Sequence, residues 1–329
     1  EAVLQQDLGV DPAVLNRGEI NAQGGRVLLT ASVSQEVFSR AVNTQGMEPA
    51  TSVVVNDDGS FTLGSGADVL NTGNIDTSTT HADQAVGRIV LLGENVTSSG
   101  TLRADAASGN GGEIELHAQD TTLLTQNSVT SARANANGQG GVVKVLGNQV
   151  GLFDYSAVDV SGATGGGQAL IGGDYQGKNP MIRNASKTIV ATNSFIYADA
   201  LNQGNGGSII VWSNDYTRYY GHLFARGGSE GGNGGFAEVS GKENLLFDGD
   251  SDLRAVYGAN GSLLLDPMNI TIEDGDSAAG TDDNSVLSTT GPTPTVLFST
   301  NAGSDIILTN QRITSALQNG NVVLQATQD

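Results

Sequence analysis

The strongest constraint on this chain is a glycine-led segment that recurs along it. Clear copies are Gly111-Gly112-Glu113-Ile114-Glu115-Leu116, Gly140-Gly141-Val142-Val143-Lys144-Val145, Gly206-Gly207-Ser208-Ile209-Ile210-Val211 and Gly234-Gly235-Phe236-Ala237-Glu238-Val239. Looser copies start at Gly24-Gly25, Gly87 and Gly261, with a further turn at Gly165-Gly166-Gly167. Gly112 and Gly141 lie 29 residues apart, Gly207 and Gly235 28, and Gly235 and Gly261 26. Each copy is a glycine turn followed by a strand with apolar residues at i and i+2. A period of about 26 residues in a strand-patterned chain is the mark of a solenoid.

Two further elements complete the repeat. A strand ending in apolar-x-Ala precedes the turn, as in Leu102-Arg103-Ala104, Ile196-Tyr197-Ala198 and Leu223-Phe224-Ala225. A middle strand lies between, as in Thr121–Thr125, Val150–Phe153 and Asn244–Phe247. Three strands and three turns make a coil that cannot bury its apolar face alone, so stacking must bury it on the next coil. The fold class is therefore all-β, a right-handed parallel β-helix, since parallel crossovers are overwhelmingly right-handed. The strand period of two sends Val27/Leu29, Ile89/Leu91, Ile114/Leu116, Val143/Val145, Ile209/Val211, Ala237/Val239 and Leu263/Leu265 inward. The glycines are read as supplying positive φ where the coil bends. About twelve coils stacked ~4.8 Å apart would make a rod roughly 60 Å long.

The period is interrupted, which divides the chain. Residues 1–272 read as β-helix with excursions at about 38–62 and 168–194. The first carries Asn56-Asp57-Asp58-Gly59 between Val53–Val55 and Phe61–Leu63, a hairpin signal. Residues 273–300 are acidic and then Thr/Pro-rich, a loop or junction, and 301–329 read as the truncated start of a further β-repeat region. Lacking an initiator Met, the chain reads as a segment of something longer, with any signal peptide upstream.

Composition excludes several function classes. The net charge of −20 disfavours nucleic acid and anionic membrane surfaces as partners. There is no cysteine, hence no disulfide framework, thiol chemistry or Cys-type zinc site. No apolar run approaches the ~18 residues of a membrane span. No nucleophile elbow, HExxH, P-loop or dinucleotide fingerprint is present, so an enzyme is not expected.

The outward positions of the glycine-led strands include Leu28, Val90, Ile210 and Leu264, then Leu92, Leu146 and Trp212. Such an apolar outer face is either covered by an insertion or used for binding. The only tryptophan, Trp212, opens the densest aromatic run, with Tyr216, Tyr219, Tyr220, His222 and Phe224, and with Asn214, Asp215 and Arg218 interleaved. Trp212, Asp215, Tyr216, Arg218, Tyr219 and His222 are the candidate ligand-binding residues. Aromatic faces beside Asp, Asn and Arg suit sugar rings, and the same rings also serve as corner packing. Asp248, Asp250 and Asp252 alternate as at the start of a calcium loop. Leu253 stands where the loop glycine belongs and no Glu closes it, so calcium is a candidate and solvated acids the alternative.

The run Gly204-Asn205-Gly206-Gly207-Ser208-Ile209-Ile210-Val211-Trp212-Ser213, the segment Gly227–Lys242, Leu263-Leu264-Leu265-Asp266-Pro267 and Ile313–Val322 together resemble the large exoproteins of two-partner secretion systems. These are the filamentous-haemagglutinin-like adhesins of Gram-negative bacteria, biofilm-matrix adhesins among them. The stretch Gly24–Asn43 resembles the segment that follows the secretion domain in this family. The resemblance implies an extracellular, surface-tethered rod secreted through an outer-membrane partner, binding exopolysaccharide or cell-surface glycans. It carries over no binding residue. The functional expectation is an adhesin segment with a ligand-binding lateral face. The alternatives are a β-helical polysaccharide lyase or hydrolase, which needs clustered carboxylates and a basic residue in a groove, and a passive stalk with polar, featureless faces.

Overall fold

Each class of repeated strand pairs in parallel with its counterpart one coil on. The glycine-led strands form a nine-stranded sheet I, the middle strands an eight-stranded sheet II and the pre-turn strands an eight-stranded sheet III. This computed structural model describes residues 14–30, 68–81, 86–275 and 307–326, and the backbone alone of Ser52–Val55, Phe61–Gly64, Leu287–Ser288 and Thr295–Val296. The register holds without slip along sheet I, Ile114 facing Val143, then Ala169, Ile209, Ala237 and Leu263. The molecule is a parallel β-helix. Sheets II and III hold eight strands each, so the described coils span roughly 35 Å rather than the sixty expected from length.

Alternation sets the core. Ile89, Leu91, Ile114, Leu116, Val143, Val145, Ile209, Val211, Ala237, Val239, Leu263 and Leu265 are all buried in one continuous cluster, and Leu29 packs against it partly buried. Sheet II adds Leu124, Leu152, Val190, Tyr219 and Phe247, and sheet III adds Ile75, Leu102, Val158, Ile196 and Leu223. Each large side chain so buried contributes about 1.5–3 kcal/mol.

The corner between sheets III and I explains why apolar-x-Ala precedes Gly-Gly. Ala132, Ala198 and Ala225 are fully buried, and their carbonyls accept hydrogen bonds from the amides of Gly141, Gly207 and Gly235, each at 2.7 Å. The paired glycines of the four clear copies do not have positive φ, contrary to the sequence expectation, whereas Gly24 of the first copy does. The left-handed residues lie two or three positions earlier, at Gly109, Gly138 and Gly204. Between sheets II and III the turn uses non-glycine pairs in that conformation, Gln126-Asn127 and Asp154-Tyr155.

The second excursion is shorter than its sequence suggests. Gln168–Ile171 and Lys187–Val190 are coil strands of sheets I and II, so only residues 172–186 leave the helix. Ser52–Val55 and Phe61–Gly64 pair antiparallel as a hairpin outside the three sheets; its turn lies outside the described residues. Thr271–Glu273 pairs in parallel with Ile307–Thr309. The helix Asn310–Asn319 follows, where further β-repeat was expected. It is N-capped by Thr309 and lays Ile313 and Ala316 on the end of the core. The strand Asn321–Leu324 then returns to sheet I beside Ser262–Leu265. Among the described residues no helix is long and apolar enough to cross a membrane.

Candidate functional site

The aromatic run predicted from sequence is split by two corners. Trp212 lies on the sheet I strand Ser208–Ser213, Tyr216, Arg218 and Tyr219 on the sheet II strand Tyr216–Tyr219, and His222 on the sheet III strand His222–Phe224. Residues close in sequence therefore reach three different walls. Tyr219 points into the core, fully buried and stacked on Phe247 at 5.6 Å. Burial, then the Asp250 charge, push its hydroxyl well above the usual tyrosine range. Tyr216 is 5% exposed on the outer side of sheet II, with the Lys187 ammonium and the Arg218 guanidinium each 5.3 Å from its ring centre. Asp215 precedes it in the turn, half-buried, its amide donating to the Ser186 carbonyl at 2.8 Å.

The outer face of sheet I is covered where it is most apolar. The excursion 172–186 lies over it, with Ile182 packed on Leu170, Ile210 and Trp212. Trp212 is only 5% exposed. Gly173 and Gly177 sit close enough on the indole that a methyl at Gly177 would approach Nε1 to 2.6 Å. Tyr175 meets Phe236 edge-on at 5.8 Å. Beneath the same loop Glu238 is fully buried, and its Oε2 accepts the Gln176 amide at 3.0 Å. Burial, only partly offset by hydrogen bonds from Gln176 and Ser240, raises this carboxyl to about 7, with Asp266 and Asp174 adding to the rise. A carboxyl sealed in this way cannot exchange a proton with a polymer lying on the surface.

The alternating aspartates are engaged by guanidinium groups. Asp248 accepts from the Arg312 Nε at 2.6 Å, and Asp250 from its Nη1 at 3.3 Å, which ties the terminal helix to sheets II and III. Asp252 holds Arg254 through two hydrogen bonds of 2.7 and 2.8 Å. Among the described residues no group of three His, Asp or Glu is placed to hold a metal ion. The guanidinium partners supply the countercharge that a cation would otherwise bring.

A half-buried aromatic ladder lies on the outer face of sheet III. Its strands are three residues long, so the central residue points inward and its two neighbours point out. In Phe195–Tyr197 and His222–Phe224 all four outward residues are aromatic, and they face each other in register: Phe195 opposite His222 and Tyr197 opposite Phe224. The first pair stacks at 5.2 Å and 15°, the second at 5.0 Å and 12°. Phe195 and Tyr197 lie 6.2 Å apart with planes only 6° from parallel. All four rings are half-buried, with their outer portions in solvent.

Charged groups rim this ladder. Arg226 pairs with the buried Asp199 at 2.7 Å and lies over Phe224 at 5.2 Å. One coil towards the N-terminus, Ala157 stands opposite Phe195 and Asp159 opposite Tyr197. Asp159 pairs with Arg133 at 3.6 Å, and burial raises its carboxyl above the usual range. One coil towards the C-terminus, His222 Nδ1 lies 3.2 Å from Asp250 Oδ2, and Asp252 holds Arg254. Phe195 thus has a ring on one face and a single methyl, that of Ala157, on the other. Of the residues chosen from sequence only His222 belongs to this group. The signal for the rest is the alignment of Ile196-Tyr197-Ala198 with Leu223-Phe224-Ala225, read at its outward positions.

No protein-family model matches the sequence, and no curated protein resembles it at a significant level.

Proposed function

We propose that this chain is a segment of a secreted adhesive rod that binds exopolysaccharide on the lateral face of sheet III. The observation that carries the reading is the ladder of Phe195, Tyr197, His222 and Phe224, four rings held in register on a rigid wall. Pyranose rings offer C–H faces to aromatic surfaces and hydroxyls to Asp and Arg, and the ladder supplies both kinds of contact. Its rigidity comes from the backbone ladder beneath, so little ordering entropy is lost on binding. The parallel stack extends the same wall along the rod, which suits a linear polymer. A rod of this shape acts by reach, holding the binding wall away from its point of attachment.

The test is binding of the purified chain to a panel of bacterial exopolysaccharides, with Tyr197→Ala/Phe224→Ala alongside. Both side chains point outward from sheet III and neither belongs to the core cluster, so the variant should keep the wild-type circular dichroism. Each ring contributes stacking of about 0.5–1.5 kcal/mol plus its buried area, so affinity should fall at least tenfold. Equal affinity for wild type and variant, or no binding to any polymer, would sink the proposal.

A further inference from the structure

A cleft on another wall, separate from the ladder, presents a second set of ligand-matching groups. Between the excursion and the segment after sheet I strand Ser262–Leu265 is a cleft of about 470 Å³. That volume is within the range of small-molecule pockets. Trp212, Pro267 and Met268 give it an apolar side, while Asn184 and Asn214 give it a polar one.

Two atoms of its lining residues are unpartnered. The indole Nε1 of Trp212 and the Oδ1 of Asn184 are both buried without a hydrogen bond. The indole edge and the Asn184 amide are neighbours, since a methyl at Gly173 would come within 2.7 Å of Trp212 Cδ1 and 2.8 Å of Asn184 Oδ1. Buried orphans of this kind are costly, and a partner that pairs with them recovers that cost. One is a donor and the other an acceptor. A hydroxyl is a neutral group that satisfies both at once.

The mouth adds donors. The chain has four lysines, and two of them, Lys178 and Lys242, line this cleft. Lys178 donates to the Gln176 Oε1 at 2.7 Å, and the Gln176 Nε2 donates to Asp266 at 2.8 Å, so the rim is already ordered. An indole flanked by hydroxyl-matching groups and ammonium donors is suited to a single sugar ring. We infer that this cleft binds one pyranose unit, with a hydroxyl of the ring placed between Trp212 Nε1 and Asn184 Oδ1. Gly177, with φ of 61°, lies against the indole beside Nε1.

The single tryptophan is a built-in reporter. Titration with methyl glucopyranoside, mannopyranoside and galactopyranoside, and with the matching uronates, should give a saturable change in Trp212 emission at millimolar concentration for at least one sugar. Asn184→Leu should weaken it at least tenfold, or 1.4 kcal/mol. Because Asn184 also donates to the Gly177 carbonyl at 2.8 Å, that variant is paired with Lys178→Ala/Lys242→Ala, whose side chains are exposed. The lysine variant should weaken binding while keeping the fold. Tyr197→Ala/Phe224→Ala should leave the titration unchanged, so failure of this inference and failure of the polymer reading are separable. No saturable change with any of the six sugars, or undiminished affinity in the lysine variant, overturns the inference.

Discussion

Gly207→Ala should lower the thermal midpoint by roughly 6–12 °C, a large effect for a single added methyl. A Cβ at Gly207 would overlap the carbonyl oxygen of Gly167 on the preceding coil. That atom is backbone, so relief requires two hydrogen-bonded strands of sheet I to separate at their shared corner. The Gly207 amide is also tied to the Ala198 carbonyl at 2.7 Å, which blocks the simplest rotation. Overpacking against an immobile neighbour costs about 3 kcal/mol or more. Gly18→Ala is the control, because nothing lies within 4 Å of its added methyl. Thermal denaturation followed by circular dichroism compares the two. Equal midpoints would mean that the glycine pairs are not stacked coil on coil.

The second large effect is at Glu238. Its folded carboxyl titrates at about 7, against 4.5 for a glutamate in water, with burial as the main cause. The folded chain therefore binds this proton more tightly than the unfolded chain does. The stability that proton confers is fully present below pH 4.5 and is lost as pH rises through about 7. The loss is roughly 3 kcal/mol once the carboxyl is ionised under Gln176. Glu238→Gln removes the charge and keeps the shape, so it should be more stable than wild type by up to about 3 kcal/mol at pH 8. The two proteins should converge at pH 4. Urea denaturation at several pH values reads the difference directly. Parallel profiles for the two proteins would show that Glu238 is not the group responsible.

These two positions show what the sequence reveals and what it conceals. Alternation in strands such as Ile114-Glu115-Leu116 identifies the buried residues because period and burial are local properties. The glycine pairs announce the corner for the same reason. Their physical role differs from the one their sequence suggests: close approach between coils, not left-handed φ, is what excludes a side chain at Gly207. That requirement depends on the neighbouring coil and has no signature within one repeat. Glu238 is similar. At the equivalent outward positions Glu115 and Lys144 remain half-exposed, and only the loop 172–186 buries Glu238.

The ladder is legible in principle. Tyr197 and Phe224 stand at the same position of two copies that align by eye, and Phe195 and His222 stand two residues before them. Reading outward residues along the run Trp212 to Phe224 instead crosses two corners and mixes three walls. Tyr219 shows the error best. Aligned on Leu152 and Phe247 in the middle strand, it is an inward residue, and the core takes it. The helix Asn310–Asn319 has a local signal in Thr309 as its cap, but a repeat-based reading continues the strands through it.

The measurement that addresses the central claim most directly is aromatic chemical-shift mapping of the chain with selectively labelled Phe, Tyr and His. The added ligand is an oligosaccharide of the polymer that binds best. The account predicts shifts concentrated on Phe195, Tyr197, His222 and Phe224, with Tyr219 and Phe247 in the core unmoved. Shifts confined to another wall, or none at saturating ligand, would contradict it.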